Sequence, residues 1–388
     1  MTHSWALAGR VVTPGETLEH GLVVITGTRI EWVGSAASYQ GTAPVQDYGT
    51  HVIAPGFIDV HVHGGGGGSL RQPNESSIRQ ALAFHGRHGT TGCLATIGTA
   101  PLEQVGDTLH VLDRLMTERQ EQSRMGAALL GVHLEGPWLN PTKAGGQRVE
   151  FMRHPSVAEL EALPLAPVRW ATVAPELAGA EALIRRMKEL GLVVAAGHTA
   201  ATYTEMQQAV AWGVDHCTHF FNAMSAFHQR EPGVVGAGLD LTGLYLELIA
   251  DGIHVHPGAL RLAYASRGWE RLLLITDAVE YAGEAEGVYE VDSRVLTVKD
   301  GSIRLQDGTL AGSSLTMNRA VALMVQQVGL PLTEAVAMAT LIPARRLGLD
   351  DRTGSLVAGK DADLVVFDED FQVWLTVIQG DVVFEQSG

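Results

Sequence analysis

The middle of the chain alternates short apolar runs with helix-like segments, and that alternation constrains the fold more than any other feature. LLGVHLE, RWATVAPE, LVVAAGHT and VDHCTHF are interleaved with ALIRRMKELG and TEMQQAVAWG. Apolar runs that lack polar alternation mark parallel strands buried on both faces. Repeated β–α–β units over roughly 290 residues fit an α/β fold, a (β/α)8 TIM-like barrel, with a doubly wound open sheet as the rival. The texture differs at both ends. GRVVT, HGLVVITG, RIEWVGS and HVIAPGF open the chain, while GSLVAGKDADLVVFDED and VWLTVIQGDVVFE close it. Closely spaced turns between short strands favour a β unit over βα repeats. The two ends are expected to pair as one small β-sandwich domain, residues 1–53 with 346–388, around a barrel over 54–345.

With 46% hydrophobic and 18% charged residues in a 388-residue chain, the composition is that of an ordinary globular protein. Forty-three acids against 27 bases give a net charge of −16. That argues against nucleic acid or an anionic membrane as partner. A small anionic substrate stays open, because it needs only a few local cations. MTHSWALAGRVV lacks a basic segment followed by a long apolar one, and no run approaches the ~18 apolar residues of a membrane helix. A cytoplasmic protein is expected. Cys93 and Cys217 sit in apolar, strand-like contexts and are expected to be reduced core residues.

Chemistry gathers where the apolar runs stop. In FIDVHVHGGGG, side chains two apart share a strand face, so Asp59, His61 and His63 line one side and Ile58, Val60 and Val62 the other. Two imidazoles there suit a shared metal ion; they equally suit a solvated loop edge, and the motif alone does not decide. The Gly64–Gly68 run continues SLRQPNESS rather than Gly-Lys-Ser/Thr, so it reads as a flexible loop over the mouth and not as a phosphate cradle. Four further runs end alike: LLGVHLEGP in His133 and Glu135, LVVAAGHT in His198, VDHCTHFFN in His216 and His219, and RLLLITDAV in Asp277. LELIADGIHVHP adds Asp251, His254 and His256. Each residue alone has a plain structural explanation: a hydrogen-bonded histidine, or an aspartate in a turn. Glu135 resists it, since a carboxylate after a buried run needs a partner. A barrel carries its reactive groups at the C-terminal strand ends, and these nitrogen and oxygen ligands suit Zn²⁺, Fe²⁺, Mn²⁺ or similar ions.

The order HxH, Glu, His, His, Asp resembles the amidohydrolase superfamily of metal-dependent barrel hydrolases. More narrowly, APGFIDVHVHG, GVHLEGPWLNPTKAG, GHTAATY, THFFNAMSAFHQREPGVVGAGL, ADGIHVHP, LITDAV, LAGSSLTMNRAV and GSLVAGKDADLVVFD resemble the N-acetylglucosamine-6-phosphate deacetylases. The resemblance implies that Glu135, His198 and His219 hold one metal. It implies that His61 and His63, with Glu135 bridging and Asp277 nearby, complete a second position, so that one or two divalent ions are expected per subunit. It assigns Asn222, the Ala223 backbone, Arg230 and His254 to a sugar 6-phosphate, with Arg230 reaching over from a neighbouring subunit of a homodimer. Without the resemblance, a surface pair with Glu231 would explain Arg230.

One departure stands out. The family's carbonyl-polarising histidine follows HLEGP in a KGAH-like stretch, whereas this chain reads KAGGQ and places Gln147 there. A glutamine amide donates to a carbonyl but does not titrate near neutral pH. Either Gln147 substitutes directly, the favoured reading, or His154 takes over after a loop shift, or the metal acts alone. The implied reaction is hydrolysis of the N-acetyl group of N-acetylglucosamine 6-phosphate by metal-bound hydroxide, with Asp277 as general base and acid. The rivals are deacetylation of another N-acyl hexosamine phosphate such as the galacto epimer, a cyclic-amide hydrolase, and a non-catalytic relative. Many cyclic-amide hydrolases bridge with a carboxylated lysine where Glu135 stands here, and a non-catalytic relative would have lost ligands that are intact.

Overall fold

The computed structural model of the chain describes residues 4–118, 126–291 and 294–386. Eight strands form one parallel sheet: β1 (Phe57–Val62), β2 (Thr90–Ile97), β3 (Ala128–Glu135), β4 (Val168–Val173), β5 (Val193–Ala196), β6 (His216–Cys217), β7 (Tyr245–Ile249) and β8 (Leu272–Ile275). Each pairs in parallel with its neighbour in sequence. The two ends of the row also meet. The Asp277 amide donates to the His61 carbonyl at 2.8 Å, and the Thr276 hydroxyl donates to Asp59 Oδ2 at 2.5 Å. The sheet is a barrel, and the open doubly wound alternative is excluded.

The apolar runs form these strands because both their faces are covered. Every residue of β1 and β2 is buried. Ile58, Val60 and Val62 belong to the main core, while Asp59 and His61 occupy the alternate positions and meet Thr276 and Glu135. The helix read in TEMQQAVAWG spans Tyr203–Trp212 and starts with a capping box, Thr202 with Glu205. Cys93 and Cys217 are free and buried, and burial pushes both thiols up, Cys217 to about 12, so neither is a reactive thiolate. Among the described residues no helix is long and apolar enough to cross a membrane.

The chain ends combine in one mixed seven-stranded sheet, ordered Asp381–Glu385, Val373–Ile378, Leu364–Phe367, Val45–Pro55, Ser4–Val12, Thr17–Thr26, Arg29–Ser35. It curls over its own apolar face, so that Ile30 donates to the Lys360 carbonyl and Ala362 to the Thr28 carbonyl. Leu7, Val23, Ile25, Ile53, Leu364 and Val377 fill the interior of the curl, which gives the unit two covered layers.

Two features near the barrel mouth differ from the sequence reading. A four-stranded antiparallel sheet, Gly287–Val291, Arg294–Lys299, Ser302–Leu305 and Leu310–Ser313, is inserted after β8. Its last strand grips the segment beyond β8: Ser313 donates to the Asp277 carbonyl, and Val279 donates back to Ser313. The glycine run, for its part, is a packed ribbon rather than a flexible loop. Gly64–Gly65 pairs with Gly68–Ser69, and only Gly67 of the five glycines is exposed. A Cβ on Gly64 would lie 2.3 Å from the Gly68 carbonyl oxygen, and one on Gly68 would lie 2.4 Å from the Ser77 carbonyl oxygen. Close backbone approach, not flexibility, requires these glycines.

The ribbon is anchored by His85, on the buried face of helix Glu75–Arg87, whose Nε2–H donates to the Gly64 carbonyl at 2.9 Å. Burial drives its pKa down from 6.5 to about 4. Between those values the unfolded chain binds the extra proton, so stability falls as the pH drops through 6.5 towards 4. Between pH 7.5 and 5 the loss from this one group is about 2 kcal/mol. A His85→Gln variant, which keeps a donor at the same reach, is expected to lose that part of the pH dependence when urea midpoints are compared at the two pH values.

Candidate active site

All six predicted ligands converge at the C-terminal rim of the barrel. His61 lies on β1 and His63 directly follows it, Glu135 ends β3, and His198, His219 and Asp277 follow β5, β6 and β8 within two residues. His198, His219 and Asp277 have φ of 46°, 34° and 50°. For residues that are not glycine, such left-handed backbone costs on the order of 1 kcal/mol each, and it is a feature of functional sites. Glu135 is the hub. Its Oε1 lies 2.9 Å from His198 Nε2 and 3.0 Å from His219 Nε2, and its Oε2 lies 3.2 Å from His63 Nε2. Asp277 Oδ1 is 3.2 Å from His63 Nε2 and 3.6 Å from His61 Nε2. Two triads result, Glu135–His198–His219 and His61–His63–Glu135, each compact enough to hold one ion.

The donor chemistry fits a metal. His63 Nδ1 faces the Thr96 carbonyl at 3.0 Å, and His198 Nδ1 faces the Lys143 carbonyl at 2.8 Å. Each Nδ1 must therefore carry the proton, which turns the Nε2 lone pair inward. Inward-facing Nε2 atoms approach to 3.0 Å between His198 and His219 and 3.3 Å between His61 and His63. Facing lone pairs repel unless a cation lies between them, and a divalent ion meets that need. Where no ion lies between these nitrogens, the carboxylates draw protons to the same place. Burial acts to lower His61 and His63, yet Glu135 and Asp277, joined at His61 by Glu247, hold both above their ordinary value, His61 well above. Burial acts to raise Asp277, yet His63 and His61 bring it down to about 2, so it is a carboxylate at neutral pH.

The other histidines of the sequence reading lie elsewhere. His133 hydrogen-bonds the Val60 carbonyl and the Thr172 hydroxyl inside the barrel, and burial holds it well below its ordinary value. His216 pairs with Asp215 and Arg346. His256 accepts from the Gly258 amide at the start of helix Pro257–Arg267. His254 does reach the site, its Nδ1 held at 2.6 Å by Asp251.

A cavity of about 220 Å³ opens onto the centre. Asn222, Ala223, His254 and Gln147 line it, whereas Arg230 does not and stands exposed. Glu231, the surface partner that would have explained Arg230, instead accepts from the Tyr203 and Gly233 amides. His154 is exposed and also outside the cavity. Gln147 Oε1 accepts from the Thr99 amide at 2.8 Å, which directs Nε2 to donate to Glu135 Oε2 at 2.5 Å.

Sequence reasoning missed three groups here. Arg71, whose Nη2 pairs with both oxygens of Glu280 at 2.6 Å, lines the cavity, as does Arg294 from the inserted sheet, which donates to the Gly146 carbonyl. Glu247, fully buried on β7, places Oε2 3.2 Å from His61 Nδ1. The glutamate inside LYLELIA is buried like Glu135, but it lies within its apolar run where Glu135 follows one.

A parallel barrel whose rim gathers four histidines, a shared glutamate and an aspartate has the build of a hydrolase whose centre could hold metal ions. The chain belongs to the amidohydrolase family, whose model matches residues 52–383, and within it to the N-acetylglucosamine-6-phosphate deacetylases. It is 38% identical over 381 residues to N-acetylglucosamine-6-phosphate deacetylase of Bacillus subtilis, covering 96% of this chain and 95% of that one. It is also 38% identical over 340 residues to N-acetylgalactosamine-6-phosphate deacetylase of Escherichia coli O157:H7, covering 87% and 89%. Among solved structures, an aspartate-to-alanine mutant of the Mycobacterium smegmatis N-acetyl-D-glucosamine-6-phosphate deacetylase, in complex with N-acetyl-D-glucosamine 6-phosphate, matches with a TM-score of 0.90. That match has 36% identity and covers 98% of this chain and 99% of the other.

Proposed function

We propose that this protein hydrolyses the acetamide of N-acetylglucosamine 6-phosphate to glucosamine 6-phosphate and acetate. The observation that carries the reading is the Glu135-centred ligand set opening onto a cavity lined by His254, Arg71 and Arg294. Glu135, His198 and His219 would hold one divalent ion, and His61 and His63 a second with Asp277 close by. Bound there, the ion supplies Lewis acidity and lowers the pKa of water towards neutrality. Asp277, ionised and facing the centre, takes the proton of the attacking water and returns it to the departing amine. Gln147 has one amide hydrogen committed to Glu135; its other is available to the acetyl oxygen, a donor worth roughly 3–4 kcal/mol in the transition state when well placed. Asn222, the Ala223 backbone and His254 receive the sugar phosphate, and Arg230, exposed on its own subunit, would serve the neighbouring site of a homodimer. A guanidinium offers phosphate a planar fork, and such fixed local cations let a chain of net charge −16 bind an anion.

The test is acetate release from N-acetylglucosamine 6-phosphate beside the unphosphorylated sugar. The phosphate ester is expected to be preferred in kcat/KM by about 10³-fold or more, the worth of several charge-assisted hydrogen bonds. Equal turnover of both sugars would refute the phosphate site. The equal 38% identity to the N-acetylgalactosamine-6-phosphate deacetylase favours one second reading, the N-acetylgalactosamine ester. The ratio of kcat/KM for the two epimers decides between them.

A further inference from the structure

Glu247 has no task in the reaction just described, and its position is costly. It is fully buried on β7, its Oε1 has no hydrogen-bond partner, and its Oε2 meets only His61 Nδ1 at 3.2 Å and the His219 amide at 3.4 Å. Among the described residues no lysine or arginine is paired with Glu247, Glu135 or Asp277. A buried carboxylate with so few partners is destabilising until positive charge is supplied beside it. One dication among Glu135, His198 and His219 compensates Glu135 and Asp277. Glu247, on the far side of His61, is then left with only the His61 ring and the His219 amide as polar contacts of its side chain.

The four imidazoles differ on their outer edges. His63 and His198 donate to backbone carbonyls, His219 Nδ1 has no partner, and His61 alone meets a carboxylate. A carboxylate at Nδ1 fixes the proton there and aims Nε2 inward. It also pushes electron density into the ring, which makes Nε2 a stronger donor to a cation. Its negative charge further reduces the repulsion that a second dication feels from the first.

We propose that Glu247 is the positioning residue that makes His61 a metal ligand and so builds the second of two ion positions. This rests on the hydrolase reading of the same centre. Glu247 reaches the Glu135–His198–His219 position only through the His219 amide at 3.4 Å, so the His61–His63 position should respond far more to its loss.

The experiment is Zn²⁺ uptake by equilibrium dialysis with elemental analysis, on the full chain and on Glu247→Gln and Glu247→Leu. The wild type is expected to saturate at two ions. In Glu247→Gln the weaker ion's dissociation constant should rise about 10- to 100-fold. Glu247→Leu should retain a single ion, with the tighter ion unchanged throughout. The metal-free Glu247→Leu protein should melt no lower than the metal-free wild type, because a buried carboxyl group with an unpartnered oxygen has been removed. A merely structural Glu247 would give the reverse, a lower metal-free melting temperature with both ions intact. Glu247→Gln is nearly isosteric and carries the test if Glu247→Leu does not fold. Two ions held at wild-type affinity by Glu247→Gln would overturn the inference. So would a wild type that saturates at one ion, although the hydrolase reading would survive. A wild type that takes up no Zn²⁺ and releases no acetate would remove both.

Discussion

Asp277→Asn is expected to lower kcat for acetate release by about 10³- to 10⁴-fold while KM moves by no more than a few-fold. The aspartate sits beyond β8 with its carboxylate 3.2 Å from His63 Nε2, and its backbone is fixed from two sides by His61 and Ser313. Asparagine fills the same space and keeps an oxygen for the centre, but it has no basic site for the proton. The Glu135–His198–His219 position does not include Asp277, so the ion held there should remain on elemental analysis. If the variant kept a tenth of the wild-type rate with its metal in place, Asp277 would not be the base.

Glu135→Gln should cost more, because Glu135 is the one residue common to both triads. Its two oxygens face opposite ways, Oε1 to His198 and His219 and Oε2 to His63 and Gln147. An amide offers a single neutral oxygen and would turn an N–H towards one set of imidazoles. Zn²⁺ content is expected to fall below one ion per chain, and kcat/KM by roughly 10⁴-fold or more, the worth of the activated water and the charge stabilisation together. A variant that still held its full metal complement would show that the centre is organised around another group.

The sequence alone carried the barrel because its strands are buried on both faces, as the wholly buried TTGCLATI of β2 shows. It pointed to one rim because His61, Glu135, His198, His219 and Asp277 stand at or near the ends of apolar runs, while their reading as ligands rested on the resemblance. Glu247 escaped for the opposite reason: it lies within its run, between Leu246 and Leu248, where pleating alone turns it inward. The inserted sheet was less hidden. KDGS and QDGT are hairpin signals between alternating strands, but they fall in a region read as barrel. The glycine run was misjudged because flexible and tightly packed glycines look alike until their neighbours are known. Arg71 and Arg294 reach the cavity only through tertiary contacts that no local pattern encodes.

The curled sheet of the two chain ends bears on how the polypeptide is made. Val45–Pro55 pairs on one side with Ser4–Val12 and on the other with Leu364–Phe367, a partner synthesised more than 300 residues later. On a ribosome adding about 5–20 residues per second, that edge stays open for tens of seconds. An open edge beside Val52, Ile53 and Ala54 invites pairing with another nascent chain. Failure in production should therefore appear as aggregation of chains truncated before residue 364, and slow translation of the last third should lower the yield without changing the finished fold.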